Sequence, residues 1–207
     1  NQSWSTFEFG LNVTDGINYN FTTFTVNIDF VNDAPVIHTF DSLDKVPGIK
    51  EPVAAIRQVL SGKRFIAMIY GGVGNGKTHL LEAARIELYK VGNFARVCQF
   101  SKILSTLRAS INNKEMDGYD VILNRYCTAP CLIVDDVGAG GSDNEFGDRV
   151  LEEIVCSRYG HQLLTIMSTN RDINTLPGRV LSRLQDSSTS FLVLNKAGDY
   201  RTKMGAK

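Results

Sequence analysis

The chain has no net charge: 22 Lys and Arg balance 22 Asp and Glu over 207 residues. Without a global basic field, a polyanion can be met only through local contacts. No apolar run is long enough to span a bilayer, and no charged-then-apolar leader opens the sequence; no membrane partner is therefore expected. There is no Cys-X-X-Cys spacing, and Cys127 and Cys131 lack the second pair that a zinc knuckle needs. With Cys98 and Cys156 they read as reduced core cysteines of a cytoplasmic protein. Repeats and low-complexity tracts are also lacking. The length suits one medium domain with a short appendage and is ample for a buried core.

The appendage is marked by a second absence. Residues 1–35 contain no Lys or Arg, against Glu8, Asp15, Asp29 and Asp33, which leaves 22 basic and 18 acidic residues, a net of +4, for residues 36–207. Seven aromatics (Trp4, Phe7, Phe9, Tyr19, Phe21, Phe24, Phe30) crowd this piece. Phe7–Val13 and Phe24–Phe30 alternate at period two, with Asp15-Gly16 between them as a turn signal, which predicts a short β-hairpin extension. Such a piece carries no visible chemistry and cannot bury both faces alone.

From residue 36 onward the chain is organised around Tyr70-Gly71-Gly72-Val73-Gly74-Asn75-Gly76-Lys77-Thr78. The apolar run Phe65–Ile69 before it predicts a buried strand, and His79–Lys90 after it predicts a helix. A glycine loop in that context curls its N–H groups toward anionic oxygens at a helix N-terminus. Lys77 is then placed to bridge β- and γ-phosphates, and the Thr78 hydroxyl to take a Mg²⁺ position. The bland alternative is a glycine turn that meets the pattern by accident.

The rest alternates strands with helices: a helix over Glu51–Leu60, a strand over Phe94–Phe100, a helix capped by Ser101, a helix over Asp117–Tyr126, a strand ending Asp135-Asp136, a helix over Glu145–Tyr159, a strand over Leu163–Asn170, a helix over Pro177–Leu184 and a strand over Ser188–Leu194. This order predicts a parallel sheet covered on both faces, with ligands outside the carboxyl ends of its strands. Three such ends carry polar chemistry. Asp135 is expected to hold Mg²⁺, and Asp136 to orient or deprotonate an attacking water. Asn170 is expected to bond the γ-phosphate or that water. Each has a plain alternative: solvated carboxylates where the strand exits into Val137-Gly138-Ala139-Gly140-Gly141, and an Asn that only forms a turn. Arg179 and Arg183 share a helix face four residues apart; they are either a solvated face or a guanidinium offered to a phosphate, in cis or across a subunit boundary.

Together, Gly71–Leu80, the Asp-Asp-Val-Gly strand end, Arg158-Tyr159, Ser168-Thr169-Asn170, Arg179–Leu184 and Asp199-Tyr200-Arg201 resemble the AAA+ ATPases of the helicase loader DnaC and the transposition helper IstB. The resemblance covers residues 36–207. It implies an α/β, three-layer P-loop NTPase fold (an AAA+ core) with a mainly parallel sheet and no C-terminal lid. It implies ATP and Mg²⁺ as cofactors, with nucleotide binding at Gly71, Gly72, Val73, Gly74, Asn75, Gly76, Lys77, Thr78 and His79 and metal binding at Thr78 and Asp135. Asp136 and Asn170 would be catalytic, and Arg183 the arginine finger acting on a neighbouring subunit, ahead of Arg179. The implied function is a helicase-loader-like ATPase switch in DNA replication, slow and partner-stimulated. Its implied partners are a replicative helicase or a transposase, single-stranded DNA, and head-to-tail copies of itself. A transposase helper shares the same site. A binding or adhesion fragment with a vestigial nucleotide site is the alternative from another class; residues 1–35 weakly resemble the end of a cadherin-like repeat, through Val31-Asn32-Asp33-Ala34-Pro35.

Overall fold

The computed structural model describes residues 6–14, 19–27, 40–43, 45–112, 117–138 and 144–199. The chain divides into two compact units, residues 1–37 and 38–207. In the first, β1 (Thr6–Thr14) pairs antiparallel with β2 (Tyr19–Asn27) in the register Phe7↔Val26, Phe9↔Phe24 and Thr14↔Tyr19. The second strand therefore begins five residues before Phe24. Its pairing with β1 runs from Tyr19, opposite Thr14, to Asn27, opposite Thr6. The Asp15-Gly16 turn and the Val31–Pro35 ending lie outside the described residues.

The second unit runs α1 (Phe40–Leu43), α2 (Lys50–Leu60), β3 (Ile66–Tyr70), α3 (Lys77–Lys90), β4 (Arg96–Gln99), α4 (Phe100–Asn112), α5 (Tyr119–Thr128), β5 (Cys131–Asp135), α6 (Asn144–Gly160), β6 (Leu164–Thr169), a 3₁₀ turn (Ile173–Thr175), α7 (Gly178–Gln185) and β7 (Ser190–Leu194). The strands form one sheet in the order β4-β5-β6-β3-β7, and every pairing in it is parallel. Two hydrophobic clusters cover its faces. Ile66, Met68, Leu132, Val134 and Met167 pack with Ile103, Leu107, Val150, Ile154, Val180 and other residues of α4 to α7. The intervening Ala67, Ile69, Ile133 and Ile166 pack with Phe40, Val53, Ile56, Leu80, Ala84 and Leu88 of α1 to α3. Burial on both faces explains why the strands read as unbroken apolar runs rather than alternating ones. This is the α/β P-loop NTPase fold, and it sets the ends of β3, β5 and β6 side by side.

Two local expectations fail for reasons of packing. Phe94 and Ala95 stay outside β4: Phe94 is exposed and lies edge-on to Tyr89, ring centroids 5.7 Å apart. At the other end β4 passes directly into α4, which begins at Phe100 rather than after a Ser101 cap. Phe100 is buried in the first cluster, and burying its ring outweighs the tenths of a kcal/mol to about 2 kcal/mol a cap supplies. No helix among the described residues is long and apolar enough to cross a membrane. The four cysteines are unpaired, and burial pushes the Cys98 thiol up to about 11.

Candidate nucleotide site

β3 delivers the glycine loop at the sheet's carboxyl edge. Gly71, φ +145°, passes so close to β7 that a Cβ there would lie 2.7 Å from the Asn195 carbonyl oxygen, so only glycine fits without moving one of the two. Gly74, φ +75°, would drive a Cβ into the Asp199 carboxylate. The loop is also held by a reciprocal amide pair. Asn75 Nδ2 donates to the Asn195 carbonyl (3.0 Å), and Asn195 Nδ2 donates to the Asn75 carbonyl (2.8 Å). Both residues are buried, and the Asn195 N–H also donates to the Tyr70 carbonyl at 2.8 Å. Asn195 was not singled out in the sequence, although the signal that picks Asn170, a polar residue closing an apolar strand, applies to it equally.

The bonds of Lys77 go to three neutral oxygens: the carbonyls of Gly71 (2.9 Å) and Gly72 (2.6 Å) and Asn75 Oδ1 (2.8 Å). Lys77 is 6% exposed. Burial lowers its pKa below the ordinary lysine value, with Asp136 and Asp135 pulling the other way. A buried ammonium coordinated by carbonyls alone lacks a bonded counter-charge, which a polyphosphate supplies. Val73 stands exposed at the tip of the loop, and His79 is exposed in the first turn of α3.

The other expected residues meet at this edge. Thr78 Oγ1 donates to Asp135 Oδ2 at 2.8 Å. Asn170 Nδ2 donates to Asp136 Oδ1 at 2.7 Å. Asp136 holds φ +57°, a left-handed conformation uncommon outside glycine. The hard oxygens of Thr78 and Asp135 suit Mg²⁺, which keeps several waters and takes its remaining ligands from phosphate. Among the described residues no group of three or more Asp, Glu, His or Cys forms a metal site, so the fit is to a metal carried with a phosphate ligand rather than to a protein cage.

The chain is matched by the family model for the bacterial DnaA ATPase domain, over residues 38–187. It belongs to that family. Among curated relatives, the chromosomal replication initiator DnaA of Geotalea daltonii is 26% identical over 194 residues, covering 84% of this chain and 42% of the relative. The replicative helicase loader DnaI of Bacillus subtilis is 28% identical over 110 residues, 53% of this chain and 34% of the relative. A solved replication initiator DnaA bound to AMPPCP and single-stranded DNA superposes with TM-score 0.66 at 23% identity, covering 85% of this chain and 54% of that one. The chain thus spans about two fifths of the initiator's length. The expected DnaC and IstB kinship is thereby widened to DnaA and DnaI, and the family match gives the cadherin-like resemblance of residues 1–35 no support.

The DnaA-family domain keeps its two candidate arginines apart from the carboxylates. Arg179 lies on the exposed face of α7 and pairs with Glu152 at 3.0 Å. Arg183 Nη1 donates to the Arg179 carbonyl at 2.9 Å, and its guanidinium lies 5.6 Å from the centre of the Tyr159 ring. Its Nε is buried without an acceptor. Tyr159 is fixed in turn by Asp186, 2.5 Å from its hydroxyl. Bonds to Ser188, Tyr159 and Thr189 hold the Asp186 carboxyl far below the usual carboxylate range. Arg171, also not anticipated, forks onto Asp148 (2.6 and 3.3 Å) and anchors the segment that follows Asn170. Tyr200 and Arg201 lie outside the described residues.

Proposed function

We propose that this chain is an ATP-binding and hydrolysing AAA+ domain acting as a loader-like switch in DNA replication. The observation that carries the nucleotide site is Lys77, buried and bonded only to neutral oxygens beside two carboxylates. In this reading the loop amides and Lys77 bind the β- and γ-phosphates. Thr78 and Asp135 hold Mg²⁺, which offsets phosphate charge. Asp136 accepts a proton from the attacking water, and Asn170, already bonded to Asp136, keeps that carboxylate aimed. Arg183 completes the site of a neighbouring copy in a head-to-tail assembly, as an arginine finger does in trans.

The replication role is supported by the family match and by the loader and initiator relatives. A DnaA-like initiator is the second reading, favoured by the number of DnaA relatives, and a transposition helper would share the same site. ATPase rate measured against protein concentration and against added single-stranded DNA tests the switch. A rate per subunit that rises with both supports it; a flat response to both, unchanged by Arg183→Ala, defeats it. Capture of a replicative helicase rather than origin DNA or a transposase separates loader from initiator and helper.

A further inference from the structure

We infer that Ser168 is a positioning residue that assigns the two carboxylates of the site to different tasks; this rests on the nucleotide reading above. The β5–β6 ladder stops at Val134↔Met167, one residue short of Asp135. Beyond that point β6 holds the end of β5 through Ser168 and Thr169 instead. The Ser168 hydroxyl donates to Asp135 Oδ1 and accepts from the Asp136 N–H at 3.0 Å. The Ser168 carbonyl takes the Val137 N–H at 2.7 Å, and the Thr169 hydroxyl donates to the Val137 carbonyl at 2.6 Å.

The consequences for the two acids differ. Asp135 has one oxygen committed to Ser168 and the other to Thr78, which fixes the rotation of the carboxylate and aims Oδ2 at the start of α3. Asp136 has its N–H drawn toward β6, the pull that goes with φ +57° and with its side chain meeting Asn170 rather than Asp135. One hydroxyl, 1% exposed and with its donor and an acceptor site in use, therefore separates a metal-directed carboxylate from a water-directed one. An alanine here leaves Asp135 held by Thr78 alone and the Asp136 N–H without its acceptor. Groups that orient a metal ligand from behind commonly change metal affinity by 10–100-fold.

The test is equilibrium binding of a fluorescent ATP analogue to the full chain, in excess Mg²⁺ and in EDTA. For the unaltered protein, Mg²⁺ tightens binding. For Ser168→Ala that Mg²⁺-dependent tightening falls about tenfold, while the affinity in EDTA stays within about twofold. Ser168→Cys keeps the side-chain shape but donates poorly, and follows Ala; Ser168→Thr keeps the hydroxyl and restores the tightening. The Cys and Thr comparison decides the matter should the alanine variant fail to fold. Equal losses in both media, or an undiminished Mg²⁺ effect in Ser168→Cys, overturn the inference and leave the hydroxyl a packing group. Lys77→Ala run alongside distinguishes the two levels: retained affinity there brings down the nucleotide reading itself, whereas normal loss there with an unmoved Ser168→Cys brings down only this one.

Discussion

Lys77 ties the chemistry of the loop to pH with two opposite signs. Its pKa is lowered in the empty site chiefly by burial. The folded chain therefore gives up this proton before the unfolded chain does. As pH rises toward 10.5 the unfolded state holds more protons, so the contribution of Lys77 to the stability of the empty protein increases. Nucleotide affinity moves the other way, because phosphate oxygens favour the charged ammonium. Affinity for ATP is expected to decline on the alkaline side, beginning below 10.5, and to become pH-insensitive there in Lys77→Arg if that variant binds; titration by fluorescence at several pH values checks both. Lys77→Ala should weaken binding by two orders of magnitude or more, about 3 kcal/mol, the scale of removing a buried charge-assisted hydrogen bond. In the proposed mechanism Asp136 separates binding from turnover. Asn tolerates the left-handed backbone at least as well as Asp, so Asp136→Asn should keep the fold and the affinity while lowering the rate about a hundredfold or more, the usual worth of a general base.

Arg158 is the element-scale counterpart, and its bonds lie within the core. Fully buried on α6, its fork reaches Thr165 Oγ1 (2.7 Å) and the carbonyls of Tyr126 (2.9 Å), Ala129 (2.7 Å) and Leu164 (2.6 Å). It thereby ties the end of α5 and the start of β6 to α6. Burial lowers its pKa to about 10, the mark of a cation held by dipoles rather than by a carboxylate. Arg158→Met leaves three carbonyls without their donor and should destabilise by about 3 kcal/mol or more, a fall of roughly 6–12 °C in Tm; a melt within about 2 °C of the parent would refute this role. Arg158→Lys should also destabilise, because one ammonium cannot span the fork. In sequence Arg158-Tyr159 carries only part of the family resemblance; its periodicity and charge do not tell its buried role from that of Arg149, which is exposed and pairs with Glu145. The elements themselves were legible from their apolar runs and glycines, and the pairs Thr78–Asp135 and Asp136–Asn170 meet where the glycine loop and the strand ends put them. What was hidden depends on sequence-distant partners: Asn195 meets Asn75 across 120 residues, Arg158 meets Tyr126 across 32, and Phe100 becomes a helix start only because a core is there to receive it.

At the scale of the whole molecule, the two units differ in charge: residues 36–207 carry a net of +4, and residues 1–35 carry four acids and no base. The five candidate site residues at the sheet edge and both clusters of the core belong to residues 38–207. That fragment is expected to fold alone and to bind ATP within about twofold of the full chain; a larger loss of affinity would make residues 1–37 part of the site. Arg183 raises the question of whether one copy suffices. Its guanidinium rests against Tyr159 and the Arg179 carbonyl, with Nε buried and unbonded. Buried nitrogens of a structural arginine usually find acceptors, as each guanidinium nitrogen of Arg158 does. A finger must instead be held in a defined place with its outer N–H groups left for a ligand that another copy brings, and the Nη end of Arg183 is the exposed one. The two roles diverge on one measurement. If Arg183 serves its own copy's core, Arg183→Ala lowers Tm and leaves the rate per subunit independent of concentration, as in the parent. If it serves a neighbour, Tm and ATP affinity change little, the parent's rate per subunit rises with concentration, and the variant's does not. Mixing then settles which subunit supplies the group. An inactive Asp136→Asn copy that keeps Arg183 should restore turnover to Arg183→Ala copies, since each donates what the other lacks. A mixture no faster than the sum of its parts would rule out Arg183 as a group that acts across the subunit boundary.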